Sequence, residues 1–386
     1  MSVHGVALAR DFHAAADGPQ LKPFIDRTHG GDVDAWARSA GVEAGEFLDF
    51  SASINPLGPP PSARTAFVKS YGDISRYPDP YGNGLKQALA EHHGVSPAEV
   101  LVGNGSTQLI YLLCAALRPR TALIVVPAFS EYANALALGG ATIRQFILGA
   151  DDGFPFPMPR FMAAWDEDCD IVFLPNPNSV IGQLISRVEI EKIADTALAR
   201  KCFVVVDEAF IDFVEKESVK TLVRQNPYLI VLRSLTKYYA LPGLRLGFLL
   251  GEPGRVAQLA AYQEPWSVNA PASNVALACL RDASFATKTA SWLEHERNFL
   301  LKRLTALEGF HPLPSRTNFL LVRIDRTGGD ALRLRSYLLE KKILIRACDS
   351  FGLGNDYFRI AVRRHKDNRR LLAALHEWTE VERVVP

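Results

Sequence analysis

Residues 231–250 read Val-Leu-Arg-Ser-Leu-Thr-Lys-Tyr-Tyr-Ala-Leu-Pro-Gly-Leu-Arg-Leu-Gly-Phe-Leu-Leu. An apolar run enters this stretch, Lys237 follows the hydroxyls of Ser234 and Thr236, and Arg245 comes eight positions later (245 − 237 = 8). A lysine amine forms an imine with a carbonyl, and hydroxyls together with a guanidinium bind a phosphate. The stretch therefore predicts a ligand that carries both a carbonyl and a phosphate.

A Ser-x-Thr-Lys run alone is explained equally well by solvated side chains after a strand. A second feature, thirty positions upstream (237 − 207 = 30), favours the functional interpretation. Residues 203–210 read Phe-Val-Val-Val-Asp-Glu-Ala-Phe, which indicates a buried strand that ends at Asp207. Ligands of open α/β sheets bind at the carboxyl ends of strands, so Asp207 is placed to meet a pyridinium nitrogen. Pyridoxal 5′-phosphate (PLP) has all three groups.

The runs V-V-V-D-E-A-F and S-L-T-K-Y-Y-A-L-P-G-L-R-L-G resemble the fold-type I PLP enzymes. Within them, the chain is similar to the group of histidinol-phosphate aminotransferases and threonine-phosphate decarboxylases, from about residue 29 to the C-terminal region. The resemblance implies an α/β fold, with a mostly parallel central sheet flanked by helices in a large domain and a smaller α+β domain. We expect an N-terminal segment 1–60 that joins the small domain, a PLP-binding domain 61–270 and a C-terminal small domain 271–386.

Composition describes an ordinary enzyme. Of 386 residues, 48% are hydrophobic and 22% charged, with a net charge of +1 and no basic block, which argues against a nucleic-acid partner. The five cysteines lack metal-ligand or C-x-x-C spacing, so reduced core thiols are expected, and we predict no metal site. No signal peptide and no membrane-length apolar run is visible, which predicts a cytoplasmic protein without a membrane partner.

A glycine loop at residues 102–107, Val-Gly-Asn-Gly-Ser-Thr, opens an apolar helix. The unpaired N–H groups of such a helix start bind anions, although a simple serine cap is the commoner case. Together with Lys237 and Asp207, the loop indicates a phosphate site at Gly105, Ser106 and Thr107. A strand then leads to Phe129, which the resemblance places against the PLP ring, although this side chain could equally belong to the core.

Four segments resemble the decarboxylases in particular: H-G-G at 29–31, D-F-S-A-S-I-N-P-L-G at 49–58, P-W-S-V-N at 265–269 and I-L-I-R-A-C at 343–348. The resemblance implies substrate contacts from His29, Gly30 and residue 53. Those enzymes have an asparagine where this chain has Ser53. Because a serine is shorter and lacks the paired donor and acceptor of an amide, this difference bears on the substrate.

A second asparagine of the family, which hydrogen-bonds the 3′-oxygen of PLP, is replaced by Ser179 in the run Asn176-Pro-Asn-Ser179-Val-Ile-Gly182. Phe210 also lacks the hydroxyl of the tyrosine that related aminotransferases carry. Both residues are expected at the cofactor, and Ser179 also at the substrate. Our hypothesis is that fewer donors leave the negative 3′-oxygen less stabilised, so that the imine keeps its proton to higher pH.

Arginines within apolar strands need an anion, because an unpaired buried charge is costly. Arg346 and Arg359 match the two substrate-binding arginines of the family, and two guanidiniums suit a carboxylate and a phosphate. The resemblance also places Tyr77 of the motif R-Y-P against the cofactor phosphate of the neighbouring subunit, which implies a homodimer. The pair His92-His93 is predicted to be the exposed end of a helix.

The resemblance implies PLP-dependent decarboxylation of O-phospho-L-threonine in cobalamin biosynthesis. The two serines leave open a decarboxylase for a related phosphorylated or phosphonate amino acid. The alternative activity is an aminotransferase of the histidinol-phosphate type. A PLP-binding sensor without turnover is disfavoured, because no basic helix-turn-helix stretch is present.

Overall fold

The computed structural model describes residues 30–150, 153–325 and 330–384. Its strands are β1 (Leu48–Asp49), β2 (Val100–Gly103), β3 (Thr121–Val126), β4 (Thr142–Ile147), β5 (Ile171–Pro175), β6 (Phe203–Asp207), β7 (Leu229–Ser234), β8 (Gly247–Leu250), β9 (Phe310–Pro312), β10 (Phe319–Ile324), β11 (Ile343–Leu344), β12 (Arg346–Ala347) and β13 (Tyr357–Ala361).

The helices are α1 (Val33–Ala40), α2 (Pro61–Lys69), α3 (Asn83–His93), α4 (Gly105–Leu117), α5 (Glu131–Leu138), α6 (Met158–Ala164), α7 (Arg187–Arg200), α8 (Leu235–Tyr238), α9 (Pro253–Ala260), α10 (Ala270–Leu280), α11 (Ala283–Thr305), α12 (Ala331–Glu340) and α13 (His365–Val384). Helix α1 is capped at its start by Asp32, whose side chain accepts from the N–H of Ala35, and Gly41 ends the helix in the left-handed region.

The large sheet has seven strands in the order β2-β8-β7-β6-β5-β3-β4. Strand β8 is antiparallel to both of its neighbours, whereas β3 to β7 run parallel. The carboxyl ends of β2, β3, β5, β6 and β7 therefore meet at one edge of the sheet. This is the edge at which the sequence analysis placed its candidate residues.

Helices cover both faces of this sheet, so inner strands such as β5 and β6 read as continuous apolar runs rather than alternating ones. In β6 the side chains of Val204 and Val206 belong to one buried cluster and that of Val205 to the other. Both clusters contain side chains with no measurable exposure. The predicted α/β fold with a mostly parallel central sheet is confirmed.

A smaller lobe contains the antiparallel sheet β12-β13-β10-β9. Helices α11, α12 and α13 enclose its core, which includes Leu293, Leu334 and Trp378. Phe50 belongs to the same core, and β1 pairs in parallel with β11, so the N-terminal segment packs with this lobe. The domain boundaries at residues 60 and 270 stay a prediction.

His93 is not the exposed helix end that the sequence suggested, and that expectation is wrong. The side chain is only 6% exposed, and its ring packs on Phe248 with centroids 5.2 Å apart. Burial lowers the pKa of His93 to about 3, although Glu215 lies 3.7 Å from its Nδ1. The five cysteines are buried free thiols, as expected. Among the described residues, no helix is both long and apolar enough to cross a bilayer.

Candidate active site

A cavity of about 720 Å³ opens at the carboxyl edge of the large sheet. Its walls come from both lobes and from the N-terminal segment. Most of the residues predicted from the sequence line it: Gly30, Ser53, Ser106, Thr107, Phe129, Ser179, Asp207, Phe210, Ser234, Thr236, Lys237, Arg245 and Arg359.

Lys237 lies on the single turn α8, which begins directly after β7. The turn is capped by Ser234, whose Oγ accepts from the N–H of Thr236 at 3.3 Å. Burial lowers the pKa of Lys237 to about 8, and the positive charges of Arg359 and Arg245 contribute to the same shift. A substantial fraction of this amine is therefore neutral near physiological pH, which is the form that attacks a carbonyl.

Asp207 ends β6, and the residue is 7% exposed. Burial raises the pKa of Asp207, while two donors oppose that shift: the Tyr132 hydroxyl at 2.6 Å and the backbone N–H of Ala209 at 3.0 Å. Tyr132 is itself fixed by a stacked ring contact to Phe173 at 4.9 Å. The carboxylate is therefore held in one orientation at the cavity wall.

The start of α4 is where the sequence predicts an anion site. Gly105 has a φ of +77°, and a Cβ there would lie 2.6 Å from Nη2 of Arg245. A Cβ at Gly247 would clash with the backbone nitrogen of Ser106. The two glycines thus let Arg245 and β8 approach the helix start closely, and the hydroxyls of Ser234 and Thr236, 2.7 Å apart, lie on the same wall. This arrangement suits a phosphate.

Both aromatic residues predicted at the cofactor, Phe129 and Phe210, lie on the cavity wall. Phe129 meets Tyr132 edge to face with centroids 5.9 Å apart, and Phe210 meets Phe319 in the same manner at 5.3 Å. Both rings are available to pack against a flat ligand. Because Phe210 is a hydrocarbon and Ser179 is short, this part of the wall offers fewer donors than a tyrosine and an asparagine would.

The two predicted substrate arginines occupy different positions, although they are direct cross-strand partners in β12 and β13. Arg359 lines the cavity and donates to the carbonyls of Ser51, at 3.4 Å, and Ser179. Among the described residues, no carboxylate forms an ion pair with Arg359, and burial lowers its pKa to about 10, with repulsion from Arg346 contributing. Such a guanidinium requires an anion from a ligand.

Arg346 does not line the cavity. It is 4% exposed, its Nη2 donates to the Ser350 hydroxyl at 2.6 Å, and its guanidinium carbon lies 4.8 Å from the ring centroid of Phe351. Phe351 does line the cavity and also lies 5.9 Å from the guanidinium of Arg359. The role of Arg346 in substrate binding stays a prediction.

The N-terminal segment supplies the remaining wall. The Ser53 hydroxyl is buried without a hydrogen-bond partner among the described residues, while the Ser53 carbonyl accepts from Asn318 at 3.0 Å. Gly30 lies so close to Ser51 that a Cβ would clash with the Ser51 carbonyl oxygen. Its neighbour His29 lies outside the described residues.

Tyr77 lies away from the cavity of its own chain. It is 83% exposed and stacks obliquely on Trp266 with centroids 4.9 Å apart. Its contact with a second subunit stays a prediction.

Several cavity residues were not predicted from the sequence. Tyr111 and Glu131 line the wall and are joined by a hydrogen bond of 2.6 Å. Tyr132 was missed as the partner of Asp207, because the two residues are separated by 75 positions in sequence. An aromatic residue three positions after Phe129 on a new helix is the only signal that pointed to it.

Asn55 was also missed. It is 1% exposed, and its backbone N–H donates to the carbonyl of Lys237 at 3.1 Å. Its side-chain amide donates to the carbonyl of Tyr238 at 2.9 Å and to the hydroxyl of Thr289 at 3.0 Å. Asn55 therefore ties the lysine-bearing turn to helix α11.

Behind the cavity, a buried ion-pair network braces the ends of β6 and β7. Arg233, on β7, has no exposed surface and pairs with Glu208 at 3.1 Å, Asp212 at 3.0 Å and Glu215 at 2.6 Å. Glu208 directly follows Asp207 in sequence. The network thereby fixes the spacing between the strands that carry Asp207 and Lys237.

A lysine and a carboxylate facing one cavity, with an anion site at a helix start on the same sheet edge, are typical of one class of α/β enzymes. The chain belongs to the family described as aminotransferase class I and II, whose model matches residues 45–375. Within it, the chain is 40% identical to the threonine-phosphate decarboxylase of Salmonella typhimurium, over 91% of this chain and 96% of that protein.

Two further relatives broaden this likeness. The chain is 29% identical to the adenosylcobalamin biosynthesis bifunctional protein CobDQ of Leptospira interrogans, over 90% of this chain and 40% of that protein. The crystal structure of the histidinol-phosphate aminotransferase of Clostridium acetobutylicum superposes with a TM-score of 0.80 at 27% identity, over 86% of this chain and 98% of that one.

Proposed function

We propose that this protein is a PLP-dependent decarboxylase that converts O-phospho-L-threonine into (R)-1-aminopropan-2-yl phosphate in cobalamin biosynthesis. The observation that carries the proposal is a buried guanidinium, Arg359, that faces the cavity of Lys237 and Asp207 without a carboxylate partner among the described residues. The likeness to threonine-phosphate decarboxylase and to an adenosylcobalamin biosynthesis protein supports it.

The cavity fits PLP. The closely packed start of α4 with Arg245, Ser234 and Thr236 would hold the phosphate, Phe129 would pack on the ring, and Asp207 would accept from the pyridine nitrogen. When bound, PLP supplies an electron-accepting ring for the electron pair released at the substrate Cα.

Lys237 would attach the cofactor, because its lowered pKa gives a neutral nucleophile near pH 8. Asp207 would keep a proton on the pyridine nitrogen of the bound cofactor, since a buried carboxylate opposite a protonated nitrogen forms a charge-assisted hydrogen bond. Tyr132 and the Ala209 N–H hold that carboxylate in place. Lys237 is then also within the cavity as a proton carrier for the substrate Cα.

The substrate would bind through Arg359, with Arg346 behind it and with Ser53 and Gly30 on the N-terminal wall. Arg359 is the group on this wall with the charge to hold an anion, so it would orient the substrate for loss of its carboxylate.

We propose that the active unit is a homodimer in which Tyr77 reaches the neighbouring cofactor phosphate. Tyr77 is exposed and is not among the residues that line the cavity of its own chain, which supports this arrangement. Other large apolar side chains are exposed nearby in sequence, including Phe67, Tyr71 and Ile74, as expected for a surface covered by a second copy. The cytoplasmic location rests on the sequence alone.

The test is to incubate purified holoenzyme separately with O-phospho-L-threonine, O-phospho-L-serine and histidinol phosphate, and to measure CO₂ and amine products. Release of CO₂ from O-phospho-L-threonine without any added 2-oxo acid is expected. The alternative, an aminotransferase of the histidinol-phosphate type, is favoured by the likeness to that enzyme's structure. It predicts instead a 2-oxo-acid-dependent reaction without CO₂.

A pair of variants tests the binding site. Arg359→Ala should raise KM for the phosphorylated substrate by at least about 100-fold, because losing a buried charge-assisted contact costs about 3 kcal/mol. Arg364→Ala is the matched control, since this arginine is exposed and its guanidinium donates to the Pro56 carbonyl, outside the cavity. Equal effects of the two substitutions would contradict the assignment.

A further inference from the structure

A second cluster of chemically active side chains lies outside the cavity, between α11 and α13. It consists of the neighbours His295 and Glu296 on α11 and His365, the first residue of α13. One nitrogen or oxygen from each residue lies within 4.8 Å of the other two. Nδ1 of His365 lies 3.1 Å from Oε1 of Glu296, and Nε2 of His295 lies 3.7 Å from the same oxygen.

The carboxylate of Glu296 lacks a permanent cationic partner. The residue is 4% exposed, and within the described parts of the chain its ion-pair contacts are with these two histidines only, not with a lysine or an arginine. A buried carboxylate is costly unless a cation or several donors accompany it. A metal ion bound by the two histidines would supply such a charge.

A fixed hydrogen bond orients this carboxylate. The fully buried side chain of Asn368 donates to Oε2 of Glu296 at 2.9 Å, while Nδ1 of His365 lies 3.1 Å from Oε1 and 3.3 Å from Oε2 of the same carboxylate. Asn368 is held in turn, because its Oδ1 accepts from the N–H of Arg363 at 3.0 Å. Partners of this kind, one step removed from the metal, are characteristic of metal-binding carboxylates and histidines.

The donor spacing suits a small tetrahedral ion. With metal–ligand distances near 2.1 Å, the ligands of a tetrahedral zinc ion lie about 3.4 Å apart. The two nitrogen–oxygen separations, 3.1 and 3.7 Å, bracket this value, and the two histidine nitrogens lie within 4.8 Å of each other. The side chains of His295 and His365 are 74% and 50% exposed, so their rings can turn towards a common ion and leave a fourth position to water.

We propose that His295, Glu296 and His365 form a binding site for one zinc ion that links α11 to α13. Two imidazoles and one carboxylate favour Zn²⁺ over Mg²⁺ or Ca²⁺, which prefer oxygen ligands only. None of the three residues lines the PLP cavity, so the site is separate from the proposed reaction. No sequence pattern indicates this site, because two ligands are adjacent and the third lies 69 positions away (365 − 296 = 69).

The experiment uses holoenzyme freed of metal on a chelating resin and titrated with ZnCl₂ by calorimetry. One equivalent is expected to bind, and CoCl₂ should give the visible absorption of a four-coordinate ion. His295→Ala and His365→Ala should each weaken Zn²⁺ binding by more than about 10-fold, and Asn368→Ala by about 10- to 100-fold, since it removes the support of a ligand.

His311→Ala is the matched control, because this exposed histidine lies 3.5 Å from Asp325 but belongs to no group of three ligands among the described residues. It should leave Zn²⁺ binding unchanged. Thermal unfolding provides a second measurement: ZnCl₂ should raise the Tm of the unsubstituted protein and of His311→Ala, but not that of His365→Ala.

Two outcomes would overturn the proposal. One is that the unsubstituted protein takes up no equivalent of Zn²⁺. The other is that His295→Ala and His365→Ala, shown to be folded by circular dichroism, bind Zn²⁺ as the unsubstituted protein does. In either case the contact between His365 and Glu296 is an ordinary hydrogen bond between two helices.

Discussion

Replacing Tyr132 by phenylalanine removes one oxygen atom from the support of Asp207. The hydroxyl lies 2.6 Å from Oδ2 of Asp207, and both residues are buried. Phenylalanine keeps the ring that stacks on Phe173, so the substitution leaves no large void. The Ala209 N–H, at 3.0 Å from Oδ1, then remains as the other donor identified for this carboxylate.

A hydrogen bond to a charged group contributes about 1.5–3 kcal/mol, and about 1.36 kcal/mol corresponds to one pKa unit. Burial already raises the pKa of Asp207, so losing the Tyr132 donor should raise that pKa further, by about one to two units. A carboxylate that accepts a proton more readily is a weaker partner for a protonated pyridine nitrogen. The acid limb of cofactor binding, which is the pH range over which PLP affinity falls on acidification, should therefore move to higher pH by a similar amount.

The assay is a titration of apoprotein with PLP, followed by absorbance between about pH 5 and 9. Tyr111→Phe is the matched control, because it removes an equally short phenol–carboxylate hydrogen bond, 2.6 Å long, to Glu131 instead. Both variants should lose stability, but only Tyr132→Phe should shift the acid limb. An unchanged limb in Tyr132→Phe, or an equal shift in both variants, would refute this reasoning.

Four further outcomes are expected. The rate at which apoprotein captures PLP covalently, measured by borohydride reduction and peptide mass, should rise about tenfold per pH unit below pH 8 and level off above it, because burial lowers the pKa of Lys237 to about 8. Lys237→Ala should abolish this capture. The unfolding free energy, measured by urea titration, should fall as pH drops from about 6.5 towards 3, and His93 should contribute at most about 1.4 kcal/mol per pH unit to this fall. The reason is that His93 takes up a proton in the unfolded chain but not in the folded protein, where its pKa is about 3; His93→Gln should therefore flatten the slope. Ser179→Asn, which adds an amide donor, should lower the apparent pKa of the holoenzyme's absorbance change by about one unit, and an unchanged titration would contradict the role given to Ser179. Asn55→Ala should lower the Tm and kcat while leaving KM nearly constant, because the side chain holds the backbone beside Lys237 rather than the substrate; a change confined to KM would contradict this.

The sequence was informative where a functional residue adjoins the end of a strand. Asp207 closes β6, Lys237 follows β7 and Gly105 follows β2, so each position could be predicted from an apolar run that stops at a polar or glycine residue. Parallel strands bring such ends together without any further information. The family resemblance added Phe129, Ser179 and the two arginines, which local patterns alone would not have distinguished from core or surface residues.

What the sequence could not provide is register and long-range contact. Arg346 and Arg359 look alike in sequence, yet only Arg359 lines the cavity, because β12 is two residues long and the following turn brings Ser350 to Arg346. Asn55 reaches a backbone 183 positions away, and no pattern around Asn55-Pro56 announces this. His93 ends a helix but is covered by the β8 side chain Phe248.

The charge balance of the cavity limits which substrates can use it. Among the described residues, its wall carries the cations Lys237, Arg245 and Arg359 but the carboxylates of Asp207 and Glu131 only. Once Lys237 has bonded to PLP and Arg245 has met the cofactor phosphate, Arg359 remains as a buried positive charge, and repulsion from nearby Arg346 adds to its need for an anion. An amino acid without a phosphate would bring only its carboxylate to this cavity, whereas a phosphorylated amino acid brings a second anionic group. We therefore expect the wall, in which Arg359 also feels the positive charge of nearby Arg346, to favour the phosphorylated substrate over its parent amino acid.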